Sequence, residues 1–193
     1  MKYIFLDRDG VINKQGGKLT KDALNFHKGQ EDIELIEQSA QAIKLLNENN
    51  FTIIVITNQP GIARGIVTVE QVEQMNNKLI ELLQQQGATI NKIYYCPHHP
   101  IKGVNPQYTK ECDCRKPKPG MILQAKKDFN IEDLSKYYMI GDKIGDIKTG
   151  DLAGCKTILV KTGYGGNEHW NDATPQHTVK NLYEAVTQIV LKK

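Results

Sequence analysis

Residues 3–6, Tyr-Ile-Phe-Leu, run without a polar interruption into Asp7-Arg8-Asp9-Gly10. A strand with one wet face alternates apolar and polar residues, whereas a strand covered on both faces is apolar throughout. This run therefore belongs in the middle of a parallel sheet flanked by helices. The assignment constrains the whole fold, because parallel neighbours must be joined by long crossovers, usually helical. It also locates chemistry. Ligands of open α/β sheets bind beyond the carboxyl ends of the strands, and Asp7 and Asp9 stand there, with Gly10 permitting the turn.

The remainder of the chain repeats the theme. Apolar residues at helical spacing (Ile33, Ile36, Ala40, Ile43, Leu46) predict a helix over 31–49, and a second apolar run, 51–56, ends in Thr57-Asn58-Gln59-Pro60-Gly61. Thr68 is suited to cap a helix reaching about residue 86, with Val72, Met75, Leu79, Leu82 and Leu83 inward. Further strands are expected at 89–95, at 137–140 (leading into Gly141-Asp142) and at 157–160, and helices at 120–129, 146–153 and 179–190. Residues 13–30, 96–119 and 163–176 lack periodicity. Strands alternating with helices predict an α/β chain with a Rossmann-like, doubly wound parallel sheet, in one domain over 1–193.

Composition removes several functions. The formal charge of +3 is spread over scattered lysines, with no basic stripe to track a phosphate backbone, so nucleic acid is not an expected partner. No apolar run is long enough for a signal peptide core or a membrane span, which predicts a cytoplasmic protein. No coiled-coil pattern calls for assembly, and a monomer is expected. Four cysteines without an export signal favour thiols or a metal site over disulfides.

Three strand ends bring Asp7 and Asp9, Thr57 and Asn58, and Asp142 with Asp146 to one inventory. Carboxylates crowded in this way repel unless a cation joins them, and oxygen ligands with an open shell suit Mg2+, which bridges to substrate phosphate. A phosphoryl group brought there meets Asp7 as a nucleophile. An EF-hand loop starting at Asp7 fails, since its sixth and twelfth positions are Ile12 and Lys18 rather than glycine and glutamate. No phosphate-binding Gly-x-x-x-x-Gly-Lys-Ser/Thr stretch is present.

The segment 96–119 carries a second cluster, Cys96-Pro97-His98-His99 and Cys112-Asp113-Cys114. Three thiolates and one imidazole complete a tetrahedral Zn2+ shell of the closed, structural kind, which would order about 96–114; free thiols are the competing reading. Cys155, after Gly154, reads as a small buried residue.

In Asp7-Arg8-Asp9-Gly10, Thr57-Asn58, Arg115-Lys116-Pro117-Lys118-Pro119-Gly120 and Gly141-Asp142-Lys143-Ile144-Gly145-Asp146, the chain resembles the haloacid dehalogenase superfamily of phosphatases nearly end to end. The resemblance implies that Asp7 forms an aspartyl phosphate, that Asp9 is first acid and then base, and that Thr57 and Lys116 hold the phosphoryl oxygens. It implies magnesium on the side chains of Asp7 and Asp142 and the backbone carbonyl of Asp9, with Asp146 behind them. Cys-x-His followed by Cys-x-Cys-Arg-Lys-Pro is similar to the branch of heptose-bisphosphate and histidinol-phosphate phosphatases and selects His98 as the zinc ligand. No insert is long enough for a separate cap domain, so the zinc loop and Gln15, Gly16, Gly17 and Lys18 are expected to shape the pocket.

The stretches 57–65 and 94–100 resemble the heptose-bisphosphatase pattern most. Asn58, Gln59, Arg64, Arg115 and Lys143 are the further substrate contacts this implies. Lys18, Arg64, Arg115 and Lys143 also offer more positive charge than one transferring phosphoryl group needs, as a second phosphate on a small sugar would require. Histidinol phosphate is the alternative substrate, and a phospho-aspartate regulatory module without turnover is the alternative class.

Overall fold

Strand β1 (Lys2–Leu6) sends Ile4 and Leu6 to one face of a sheet and Tyr3 and Phe5 to the other, and all four are buried. Each such side chain contributes roughly 1.5–3 kcal/mol relative to exposure. The computed structural model describes residues 1–16, 27–168 and 172–192. Gly17 and Lys18 lie outside the described residues. On one side β1 pairs in parallel with β2 (Phe51–Asn58), Leu6 opposite Val55, and β2 pairs with β3 (Lys92–Cys96). On its other side β1 pairs with β4 (Tyr138–Gly141), Leu6 opposite Ile140, followed by β5 (Lys156–Val160) and β6 (His177–Val179). The order is β3-β2-β1-β4-β5-β6, all parallel, with its topological switch between β1 and β4. A crevice therefore opens where Asp7 and Asp142 leave the sheet.

Helices α1 (Ser39–Glu48), α2 (Val69–Gln84) and α5 (Leu182–Ala185) cover the Ile4/Leu6 face through Ile43, Leu46, Met75, Leu79 and Leu182. On the opposite face lie α3 (Gly120–Asp128), through Met121, Ile122 and Ala125, and α4 (Ile144–Ala153), whose Gly150 lies against Met139. Thr68 caps α2 as expected: its hydroxyl accepts from the Gln71 N–H while the Gln71 side chain accepts from the Thr68 N–H. Among the described residues no inserted cap domain stands over the strand ends.

Two expected helices are shorter than their periodicity suggests. Residues 33–36 pair with the loop after β1 instead of coiling: Lys14 N–H donates to Glu34 O at 2.8 Å and Ile36 N–H to Ile12 O at 2.9 Å. Gln38 then turns through a left-handed conformation into α1. Ile33 still enters the core, so helical spacing was satisfied by an extended segment. Val179 belongs to β6, opposite Val160. The closing helix starts only after Asn181, whose side chain caps it, and passes into a π-helical turn at Val186–Val190.

Candidate active site

Asp7 is anchored by its backbone N–H on Ile140 O at 2.9 Å and is buried at the switch point. Its Oδ1 accepts from the Arg8 N–H at 2.7 Å and lies 2.8 Å from Lys116 Nζ; its Oδ2 lies 3.8 Å from Lys143 Nζ. Lys116 arrives from the segment after the Cys96–Cys114 cluster and is buried, with Nζ 2.6 Å from Asp146 Oδ1 and donating to Ile56 O at 3.1 Å. Asn58 holds Lys116 by its backbone: the Asn58 amide donates to Lys116 O and accepts from Lys116 N–H, both at 3.0 Å. Burial and the Asp146 charge raise the Asp7 carboxyl against the pull of Lys116 and Lys143. Burial disfavours the Lys116 ammonium, but Asp146 and Asp7 outweigh it and hold the lysine charged.

Asp9 is held differently. The Arg8 guanidinium donates to both its oxygens at 3.1 Å, Asn13 donates to Oδ1 at 2.9 Å and Gln59 to Oδ2 at 2.9 Å, and His27 Nε2 lies 3.3 Å from Oδ1. Burial alone would raise its pKa, yet Arg8, followed by His27 and Asn13, holds it well below the usual carboxylate range. Arg8 is fully buried and fixed at its far end by Asn76 of α2, its Nη1 donating to Oδ1 at 2.7 Å.

Asp142 lies fully buried next to Asp7. Its Oδ2 accepts from Tyr164 N–H at 2.7 Å and from Gln15 Nε2 at 3.1 Å, and the same Gln15 amide donates to Asp9 O at 2.8 Å. Oδ1 has no hydrogen-bond partner, with Lys143 Nζ 3.5 Å away. Burial is the chief reason its pKa rises to about 7; Asp146 and Asp7 add to this while Lys143 opposes it. Gly10 must be glycine. It has φ +91°, and a Cβ there would come within 2.3 Å of Asp142 Oδ2.

These residues line a cleft of about 400 Å³ that also takes in Thr57, Gln59, Arg64, Arg115, Lys143, Tyr164 and Glu168. Of the residues expected at the site, Asp7, Asp9, Gln15, Thr57, Asn58, Gln59, Arg64, Arg115, Lys116 and Lys143 all line it, whereas Asp142 does not line it and is buried behind Gln15 and Tyr164. Gly16 is buried beside Gln15. Both metal inventories fit their chemistry. One oxygen from each of Asp7, Asp142 and Asp146 falls within 4.8 Å of the others, and the unpartnered Asp142 Oδ1 suits a hard cation. In the second cluster Cys96 Sγ is 3.6 Å from Cys112 Sγ and 3.7 Å from His98 Nδ1, and Cys114 Sγ is 3.4 Å from both Cys112 Sγ and His98 Nδ1. A tetrahedral shell with zinc–sulfur bonds of about 2.3 Å has edges of about 3.5–3.8 Å, close to these values. Arg115 is tied to the same cluster, donating to His98 O at 3.0 Å.

Several of the described residues at the site, Arg8, Asn13, His27, Asn76, Tyr164 and Glu168 among them, were not expected from sequence. Arg8 carried a signal, an arginine between two buried acids. His27, Tyr164 and Glu168 did not, because loops with no periodicity deliver them.

Residues 113–185 match the model of HAD-hydrolase-like proteins. The chain is 41% identical to D-glycero-D-manno-heptose-1,7-bisphosphate 7-phosphatase of Chlorobaculum tepidum, covering 98% of this chain and 94% of that one. It is 40% identical to D-glycero-beta-D-manno-heptose-1,7-bisphosphate 7-phosphatase of Haemophilus ducreyi, over 84% of each. The crystal structure of D,D-heptose 1,7-bisphosphate phosphatase from B. bronchiseptica, complexed with magnesium and phosphate, superposes with a TM-score of 0.81 at 31% identity, covering 98% of both chains. Fold and site thus define a phosphatase of haloacid dehalogenase type. Within that class, the chain belongs to the family of heptose-1,7-bisphosphate 7-phosphatases.

Proposed function

We propose that the protein removes the 7-phosphate of D-glycero-D-manno-heptose 1,7-bisphosphate through an aspartyl phosphate on Asp7. The observation that carries this is Asp7 itself, buried at the switch point with one oxygen on a charged Lys116 and the other facing the cleft's second ammonium, Lys143. Asp7 attacks phosphorus as the bond to the sugar oxygen breaks, and Asp9 delivers a proton to that oxygen. Water then attacks the phosphorus of the acyl phosphate, Asp9 takes its proton, and inorganic phosphate leaves with Asp7 restored. Asp9 is ionised in the free site, as the second step requires, and an arriving phosphoryl anion favours the protonated form needed for the first. Lys116 and the Thr57 hydroxyl hold the phosphoryl oxygens where charge spreads in the transition state.

Magnesium would be held by the side chains of Asp7 and Asp142 and the carbonyl of Asp9, and supplies charge neutralisation at the phosphoryl oxygens. Asp146 stays behind it, engaged by Lys116 and by the Lys143 N–H. Zinc would be held by Cys96, His98, Cys112 and Cys114, fixing the segment from which Arg115 and Lys116 follow. Arg115 and Arg64, on the β2–β3 side of the cleft, receive the retained 1-phosphate. Relatives specified for the alpha and the beta anomer match at 39% and 40%, so both anomers belong in the assay. Phosphate release with magnesium, compared between heptose 1,7-bisphosphate and histidinol phosphate, tests the reading. A large preference for the bisphosphate is expected; preference for histidinol phosphate overturns the substrate.

A further inference from the structure

The loop after β5 contributes a wall of the cleft to which neither the proposed phosphate chemistry nor the metal sites give a use. It is tied down at four points. Thr162 Oγ1 donates to Gly10 O at 2.6 Å, Tyr164 N–H to Asp142 Oδ2 at 2.7 Å and Gly166 N–H to Asp142 O at 2.8 Å, and Glu168 Oε1 accepts from Gly145 N–H at 3.0 Å. Gly163, φ +62°, is required for this path, since a Cβ there would lie 2.2 Å from Asp142 Oδ2. These contacts hold residues 162–168 against the strand ends, and two of their side chains, Tyr164 and Glu168, line the cleft.

Glu168 is the unexplained one. Oε1 is used on the first turn of α4, but Oε2 is closed off from water with no hydrogen-bond partner. The residue as a whole is half-buried and lines the cleft, so its carboxylate charge stands beside an incoming ligand. The neighbouring Tyr164 ring stands 4.9 Å from Lys143 Nζ, an aromatic face beside the reacting centre. The sheet order also separates charges. Arg64 and Arg115 come from the β2–β3 side of Asp7, Glu168 and Tyr164 from the β4–β5 side. A carboxylate repels a second phosphate and accepts from hydroxyls, and an aromatic face suits the C–H side of a sugar.

The geometry points to Glu168, with Tyr164 beside it, as a polyol subsite: the carboxylate accepts from hydroxyls of the substrate and turns the non-reacting phosphate towards Arg64 and Arg115. This rests on the sugar-phosphatase reading and assigns that reaction a specificity-determining residue. Glu168→Gln is the informative variant, because its amide oxygen can keep the Gly145 bond while the negative charge is removed from the cleft wall. The ratio of kcat/KM for heptose 1,7-bisphosphate to that for p-nitrophenyl phosphate, which has no hydroxyls, is measured for wild type, Glu168→Gln and Glu168→Ala. A five- to thirtyfold fall in that ratio for both variants is expected, equivalent to about 1–2 kcal/mol, expressed in KM more than in kcat. Equal losses on both substrates would make Glu168 an anchor of α4 only and overturn the subsite. Wild type that ignores the bisphosphate defeats the sugar-phosphatase reading instead. The same ratio, taken with the hydroxylated phosphate ester that wild type prefers, then decides Glu168. A loss confined to histidinol phosphate would assign the carboxylate to an ammonium and also overturn the polyol subsite.

Discussion

Replacing Asp142 with asparagine should make the magnesium-free protein more stable while destroying its response to magnesium. Asp142 is buried with Asp7 and Asp146 close by, and burial first, then those neighbours, raise its pKa from 3.8 to about 7 against the pull of Lys143. A carboxyl whose pKa is higher folded than unfolded stabilises the fold most when protonated. Its contribution is therefore fully present below about pH 4 and is lost as pH rises to about 7. At about 1.4 kcal/mol per pH unit, ionisation at pH 8 costs up to about 4 kcal/mol. Asparagine removes that cost but also the attraction to Lys143, and its amide oxygen can keep the bonds from Tyr164 and Gln15, so a net gain on the order of 2 kcal/mol is expected. For a chain of this size that is a rise in Tm of roughly 4–8 °C. Melting curves at pH 8 and pH 5 in magnesium-free buffer without chelator, so that the Cys/His cluster is left untouched, should show the gain at pH 8 shrinking at pH 5. Added magnesium should raise Tm for wild type and not for the variant. An Asp142→Asn protein that melts below wild type at pH 8 without magnesium, or that responds to magnesium as wild type does, would refute the reasoning.

Other substitutions separate the roles further. Asp7→Asn should abolish turnover, below a thousandth of wild type, with circular dichroism unchanged; a fully active variant removes the nucleophile. Cys112→Ser should lower zinc content by metal analysis and destabilise the 96–114 segment to proteolysis before it affects the sheet. Arg8→Met removes the charge that holds Asp9 ionised, so the acid limb of the pH profile of kcat should move to higher pH; an unmoved limb would separate Asp9 from that step.

The parts of the fold legible in the sequence were those fixed by burial and by chemistry at strand ends. Tyr3 to Leu6 can only be a two-faced strand, and Cys96, His98, Cys112 and Cys114, singled out as one cluster, come together in the fold. Periodicity misled where an extended segment met the same burial requirement: Ile33 and Ile36 keep helical spacing, yet their neighbourhood pairs with Ile12 and Lys14. The site's second layer was hidden for a different reason. His27, Tyr164 and Glu168 reach the cleft through long loops whose path is set by contacts with Asp9, Asp142 and Gly145, and such contacts exist only after folding. Asn58, expected against substrate, is engaged on both sides by the Lys116 backbone, a role that residue type alone does not reveal.

The measurement closest to the central claim is phosphorus NMR of heptose 1,7-bisphosphate during turnover with magnesium. The account predicts loss of the 7-phosphate resonance, growth of one equivalent of inorganic phosphate, and retention of the 1-phosphate. Release of the 1-phosphate, or of both, would contradict it.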